Sequence, residues 1–205
     1  MVVDLKCILF DLGGVLLNLD EEITRKAYQE ILDPALGFDI WEQAFHPFER
    51  GEISEDAFFN RLQRRSKQVL PGDVYVRHWN AMLLDFPEER LQFLEKLSQR
   101  YDLYLLSNTN ITHLRKFQSI MRREDKYDRF VACFKQLFFS HELRMRKPEP
   151  RIYEQVLHMI PYTATECLFV DDKAENTEAA KALGFKVITH NDGQDIITRL
   201  QSYLL

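Results

Sequence analysis

The sequence predicts an α/β protein with a Rossmann-like parallel sheet flanked by helices and a small helical cap inserted after the first strand. Short, continuously apolar runs alternate with helical patterns along the 205 residues, which is typical of a parallel sheet. Roughly 90 residues separate Phe10 from Leu103, whereas a parallel crossover needs only about a dozen. The first crossover therefore contains an insertion.

Five apolar runs are the predicted strands, and polar residues follow them, as at the ends of buried strands. They are Cys7–Phe10, Leu103–Leu106, Leu137–Phe139, Leu168–Val170 and Lys186–Thr189. Helical spacing of apolar residues predicts helices over Glu88–Gln99, Pro150–Met159 and Ala174–Leu183, the last ending at Gly184. In open parallel sheets, ligands bind beyond the carboxyl ends of the strands. We therefore expect Asp11, Ser107-Asn108 and Asp171-Asp172 to meet at one edge.

The insertion is predicted to be a cap over residues 18–85, with the core formed by residues 1–17 and 86–205. Its sequence shows no convincing strand but four amphipathic stretches: Glu21–Leu32, Trp41–Phe48, Ser54–Leu70 and Asp73–Leu83. Ser54 followed by Glu55 and Asp56 is a good helix start, and Pro71-Gly72 is a good stop. Trp41 and Trp79 are expected in the core of this cap.

Composition and charge exclude several classes of function. The net charge of -5 argues against a nucleic-acid partner, because such binding depends on many Lys and Arg side chains. No apolar stretch approaches the roughly 20 residues that span a bilayer, and residues 1–6 do not lead into a signal-like segment. We therefore expect a cytoplasmic protein without a membrane partner. The three cysteines, Cys7, Cys133 and Cys167, fit neither a disulfide framework nor a zinc site.

Four short motifs follow one another in a recognisable order. They are Phe10-Asp11-Leu12-Gly13-Gly14-Val15-Leu16, Leu106-Ser107-Asn108-Thr109, Arg146-Lys147-Pro148-Glu149, and Phe169-Val170-Asp171-Asp172 with Asn176. Together with the insertion after the first motif, they resemble the haloacid dehalogenase superfamily over the whole chain. The resemblance implies a hydrolase of the phosphatase type that acts on a small phosphorylated metabolite.

The chemistry of these residues agrees with that resemblance. A carboxylate such as Asp11 can attack phosphorus and form an aspartyl-phosphate, which divides hydrolysis into two easier transfers. Ser107 and Asn108 supply a hydroxyl and an amide suited to phosphate oxygens. Lys147 supplies a positive charge that neutralises the phosphate and the nucleophile. A turn-forming Asp, helix-capping polar residues and a surface Lys are the structural alternatives.

Asp11, Asp171 and Asp172 predict a cation site. Carboxylates at adjacent strand ends repel one another, so one stays protonated unless a cation lies among them. Mg²⁺ prefers oxygen ligands and retains several waters, so few protein ligands suffice. The resemblance implies Asp11, Asp172 and the backbone carbonyl of Gly13 as ligands. It also implies that Asp171 and Asn176 position these ligands without binding the metal themselves.

Gly13 departs from the family pattern. Most phosphatases of the superfamily carry an aspartate there, which protonates the leaving group; loss of such general acid catalysis typically costs about 10²–10⁴-fold in rate. A sugar 1-phosphate needs less help, because its anomeric oxygen is a better leaving group. The stretches 46–54 and 144–149 also resemble bacterial α-D-glucose-1-phosphate phosphatases, whose loop carries Gly at this position. His46 and Glu49 of the cap are candidate substrate selectors or proton donors, although such side chains are more often only solvated.

Two other functions remain open at this point. A hydrolytic dehalogenase uses the same attacking Asp, but it needs no divalent ion and leaves Asp171-Asp172 unexplained. A non-catalytic protein that binds a phosphorylated ligand would fit the missing acid, but it would not need Asp11. The sequence determines neither the substrate, the group that replaces the missing acid, the pathway nor the oligomeric state.

Overall fold

The fold was obtained as a computed structural model, which describes residues 5–36, 39, 41–191 and 193–204. Its strands are β1 Cys7–Phe10, β2 Asp102–Ser107, β3 Phe134–Phe139, β4 Cys167–Asp171 and β5 Lys186–Thr189. Its α-helices are α1 Glu21–Ile31, α2 His46–Glu49, α3 Glu55–Gln63, α4 Gly72–Asn80, α5 Glu88–Leu97, α6 Ile111–Arg123, α7 Tyr127–Cys133, α8 Ser140–Leu143, α9 Pro150–Met159, α10 Ala174–Ala182 and α11 Ile196–Leu204.

The five strands form one parallel sheet in the order β3-β2-β1-β4-β5. Because β1 is central, its residues are buried on both faces: Ile8 and Phe10 pack into one apolar cluster, and Cys7 and Leu9 pack into the other. Strands covered on both faces are continuously apolar rather than alternating. The predicted α/β class and all five predicted strands are confirmed. The order of the strands in the sheet also places the carboxyl ends of β2, β1 and β4 side by side.

The helical insertion after β1 has its own core, as predicted. Aromatic side chains from its separate helices meet there, with Phe45 and Trp79 ring centroids 4.3 Å apart and Phe48 stacked on Phe58 at 4.3 Å. Trp79 is buried in this cluster, whereas the side chain of Trp41 lies outside the described residues. The exact limits of the cap at residues 18 and 85 stay a prediction.

Some predicted bounds were wrong. The helix expected over Ser54–Leu70 ends at Gln63, and the stretch Trp41–Phe48 is a π-helical turn, Trp41–Phe45, followed by the short α2. The third strand begins three residues earlier than predicted, at Phe134, although Lys135 and Gln136 are exposed. Exposed polar residues are tolerated there because β3 is an edge strand.

The cap contacts the core through the end of α2. The Ser140 hydroxyl donates to the Glu49 carbonyl at 2.7 Å, and Arg50 forms an ion pair with Glu149 at 2.6 Å. Gly51 takes a φ of +63°, and a Cβ at that position would lie 2.3 Å from the His141 carbonyl oxygen. Only glycine lets the two backbones approach so closely. Within the described part of the chain, no helix is long and apolar enough to cross a bilayer.

Candidate active site

Asp11 lies directly after β1, in a loop that requires glycine where the chain turns. Its backbone N–H donates to the Val170 carbonyl at 2.8 Å, which continues the pairing with β4. Gly14 then turns the chain with a φ of +75°, and a Cβ there would lie 2.7 Å from Oδ2 of Asp172. The missing side chain therefore lets the loop and Asp172 approach each other. Asp11 itself is 8% exposed.

Lys147 is the cation at the centre of the site. Its Nζ lies 2.7 Å from Oδ1 of Asp11 and 2.6 Å from Oδ2 of Asp171, and it donates to the Leu106 carbonyl at 2.8 Å. An ammonium group has three N–H donors, so these three acceptors fully engage it. Burial opposes its charge, but the carboxylates of Asp11 and Asp171 raise the pKa of Lys147 above its ordinary value. Lys147 is therefore protonated although it is only 1% exposed.

Asn108 holds Lys147 in place. Its Oδ1 accepts from the Lys147 backbone N–H at 2.9 Å, and its Nδ2 donates to the Lys147 carbonyl at 2.9 Å. One N–H of the Asn108 amide is thus engaged. Contact between its other N–H and phosphate stays a prediction. Ser107 is buried at the edge of the cavity, and its hydroxyl makes no side-chain hydrogen bond to any residue in the described ranges. It is therefore available to a ligand.

Asp171 is fully engaged by the protein. Its Oδ1 accepts from Asn176 Nδ2 at 2.8 Å and from the Lys173 backbone N–H at 2.9 Å, while its Oδ2 receives Lys147. Both oxygens of Asp171 are thus occupied by protein donors, and its predicted role in supporting the metal ligands stays a prediction. Asp172 beside it is only partly buried and faces the cavity.

The carboxylates of Asp11, Asp171 and Asp172 can each place an oxygen within 4.8 Å of the others. Burial, together with the charges of Asp171 and Asp172 and despite Lys147, raises the pKa of Asp11 to about 7. Burial and then the Asp171 charge raise the pKa of Asp172 to about 6. One ammonium does not balance three carboxylates, so the cluster binds either protons or a further cation. Oxygen donors of this kind fit a hard divalent ion, with Asp11 and Asp172 as the two carboxylates that can still reach one.

The cap completes a cavity of about 520 Å³ above Asp11. Both cap residues singled out in the sequence, His46 and Glu49, lie along its wall. Glu49 accepts a 3.0 Å ion-pair hydrogen bond from Arg146, next to Lys147. Nδ1 of His46 lies 3.1 Å from Glu42. The structure thus brings all the predicted site residues to one region, although it does not test their roles.

Several cavity residues were not predicted as site residues. Trp79 of α4 and His113 of α6 line the cavity together, and Glu21 and Lys173 form a 3.0 Å ion pair along its wall. None of these four belongs to the motifs at the strand ends. Contact between cap and core brings Trp79 and Glu21 to the site, whereas Lys173 directly follows Asp172 after β4.

Comparison with known proteins agrees with this geometry. The family model described as haloacid dehalogenase-like hydrolase matches residues 5–184. D-ribitol-5-phosphate phosphatase of Bacteroides thetaiotaomicron is 29% identical and covers 93% of this chain and 94% of its own length. Sesquiterpene phosphatase astK of Aspergillus oryzae is 31% identical over 90% of this chain and 89% of its own length.

A solved structure is similar along nearly the whole chain. It is the HAD family enzyme bt-2542 of Bacteroides thetaiotaomicron in complex with magnesium and inorganic phosphate, 31% identical, with a TM-score of 0.79 and coverage of 93% of this chain and 96% of that one. The sheet order, the cap and the four motifs are thus accompanied by a family match over most of the sequence. The chain belongs to the haloacid dehalogenase-like hydrolases.

Proposed function

We propose that this protein is a magnesium-dependent phosphatase that hydrolyses a small sugar or sugar-alcohol phosphate, such as a sugar 1-phosphate, through an aspartyl-phosphate on Asp11. The observation that carries the proposal is the Asp11–Lys147 pair, buried at the bottom of a cavity that the cap partly covers. A phosphoryl group is small and anionic, and it needs a nucleophile and a fixed positive charge side by side. The named activities of two relatives and the magnesium and phosphate bound to the solved relative support it.

In the first step, a carboxylate oxygen of Asp11 attacks phosphorus, and the bond from phosphorus to the substrate oxygen breaks. The leaving oxygen keeps the electron pair of that bond and takes its proton from solvent water, because Gly13 supplies no side-chain acid. Water then attacks the aspartyl-phosphate, which releases inorganic phosphate and restores the carboxylate. Lys147 keeps Asp11 oriented and offsets negative charge throughout, because Asp171 and Asn108 fix its position. Bound magnesium would neutralise charge on the phosphoryl oxygens, held by Asp11, Asp172 and the Gly13 carbonyl.

Gly13 argues for a substrate with an easy leaving group. It has no side chain to protonate the departing oxygen, and general acid catalysis is worth about 10²–10⁴-fold. An anomeric oxygen leaves more readily than that of a simple alcohol. The polar groups of the cavity wall, Glu49 and His46 of the cap with Arg146 of the core, are suited to the hydroxyl groups of such a substrate.

The test is phosphate release from a panel of sugar and sugar-alcohol phosphates, measured with magnesium and with a chelator, for the wild type and for Asp11→Asn. We expect release that depends on the metal and that the substitution abolishes. Equal activity in chelator would contradict the role of magnesium, and an active Asp11→Asn would contradict the nucleophile. Release of halide from a 2-haloacid, with no phosphate release, would favour a dehalogenase.

The absence of a side chain at Gly13 also fits one alternative function. Because Gly13 lacks the acid, the same cavity also suits a protein that binds a phosphorylated ligand without turning it over. Saturable binding of a sugar phosphate, with no turnover of any ester by freshly prepared wild-type protein, would support that alternative.

A further inference from the structure

The cavity contains a histidine that no motif predicts and that the reaction on Asp11 does not use. His113 lies in the first turn of α6, where it stacks on Trp79 of the cap with ring centroids 4.5 Å apart and an interplanar angle of 17°. Its Nε2 lies 2.9 Å from the Trp79 carbonyl oxygen. Asn110 accepts from the His113 backbone N–H at 3.0 Å and from Trp79 Nε1 at 3.2 Å. The imidazole is therefore fixed in both position and orientation.

These contacts also fix the tautomer. A carbonyl oxygen can only accept a hydrogen bond, so Nε2 of His113 carries the hydrogen and Nδ1 carries the lone pair. Burial lowers the pKa of His113 to about 4, despite the opposing effect of the Trp79 carbonyl. The ring is thus neutral at neutral pH, and Nδ1 is a hydrogen-bond acceptor rather than a cation.

That acceptor has no protein partner in the described part of the chain. No side chain or backbone group there donates to Nδ1 of His113, and His113, which is half-buried, lines the cavity. Its neighbours in the cavity wall include the apolar side chains of Leu114, Phe117 and Met82. An acceptor in such surroundings loses its water when a ligand enters, and that loss is unfavourable unless the ligand supplies a donor.

We propose that Nδ1 of His113 accepts a hydrogen bond from a hydroxyl group of the substrate's leaving group, so that the enzyme selects hydroxylated phosphate esters over apolar ones. The inference rests on the proposed phosphatase function and narrows its substrate class. It also distinguishes the two kinds of substrate in the relatives' names, a polyol phosphate and a terpenoid phosphate. A site built to bond a hydroxyl rejects the analogue that lacks it, because its own polar group is then left unpaired.

The experiment compares D-ribitol 5-phosphate with n-pentyl phosphate, which has the same number of carbons and the same primary ester but no hydroxyl. For the wild type, we expect kcat/KM to be at least tenfold higher with the ribitol ester. His113→Phe keeps a ring to stack on Trp79 but loses the acceptor. It should lower kcat/KM for the ribitol ester by about 3- to 10-fold, mainly through KM. It should raise kcat/KM for the pentyl ester, because that ester no longer leaves an acceptor unpaired.

Two control variants separate recognition from structure. Trp79→Phe disturbs the same contact between cap and core but keeps the acceptor, so it should affect both esters equally. His113→Gln can still donate to the Trp79 carbonyl and accept from a ligand, so it should restore part of the preference. If His113→Phe does not fold, His113→Leu, which also lacks the acceptor, takes its place in the same comparison.

Two kinds of failure are distinguishable. Wild-type protein that hydrolyses both esters equally, or a His113→Phe variant that slows both equally, would overturn the role of His113 and leave the phosphatase function standing. Wild-type protein that releases no phosphate from either ester or from p-nitrophenyl phosphate would overturn both.

Discussion

The substitution Gly13→Asp restores the proton donor that this chain lacks, and the structure allows it. Gly13 does not take a positive φ, and a Cβ there would lie 3.4 and 3.8 Å from the two terminal methyl groups of Leu19. These are ordinary van der Waals contacts with a flexible side chain. Since Leu19 lines the cavity, the new carboxyl group would begin at the cavity wall. Gly14 is the opposite case, because any side chain there meets Asp172.

The expected gain depends on the leaving group. A general acid typically contributes about 10²–10⁴-fold, which is about 2.7–5.4 kcal/mol at 1.36 kcal/mol for each tenfold change in rate. The nearby carboxylates of Asp11 and Asp172, whose own pKa values are raised to about 7 and about 6, should raise the pKa of the new carboxyl group too. A raised pKa keeps it protonated near neutral pH, which is the form that can donate. We expect about 10-fold or more for simple alkyl phosphates, less for sugar 1-phosphates, and almost none for p-nitrophenyl phosphate.

The assay is kcat/KM for a series of phosphate esters ordered by the pKa of the leaving alcohol. The dependence on that pKa should be steep in the wild type and shallow in Gly13→Asp. Gly13→Asn is the matched control, because it has nearly the same shape but no acidic proton, and it should keep the steep dependence. A gain that is the same for every ester, or one that Gly13→Asn reproduces, would refute the reasoning.

Three further predictions follow from the charges of the site. Lys147→Met leaves buried carboxylates without their cation and should lower the free energy of unfolding by about 3 kcal/mol or more, measured by urea denaturation at neutral pH; an unchanged value would contradict the role of the pair. Magnesium must displace protons from Asp11 and Asp172, whose pKa values are about 7 and about 6 without metal, so the rise in Tm on adding magnesium should be larger at pH 8 than at pH 5.5; equal shifts would count against metal binding there. In the folded protein His113 has a pKa of about 4, below the ordinary 6.5. As the pH falls, the unfolded chain therefore binds the proton first, and stability is lost between about pH 6.5 and pH 4. His113→Phe should lose less stability than the wild type over that range, and identical losses would refute the assignment.

Local sequence patterns predicted most of the fold. Buried strands are recognisable because a sheet covered on both faces needs continuously apolar residues, and the loop after β1 needs its glycines. No bounds were predicted for the helix α6, although Leu114, Phe117 and Met121 repeat at helical spacing after the capping residue Asn110. That spacing of apolar residues could have predicted the helix.

The sequence by itself determined that Asp11, Ser107 and Asp172 belong to one edge of a parallel sheet, because strand direction places the residues after each strand at the same end. Lys147 lies between α8 and α9, and its motif rather than strand direction indicated it. Only the tertiary structure decided what each group does with its hydrogen bonds. Asn108 holds the backbone of Lys147, and Asp171 is fully engaged by its neighbours. It also decided that His113 and Trp79 meet beside the cavity, because that contact joins residues of the cap and the core, and no periodicity in the chain encodes how two separate apolar cores pack together.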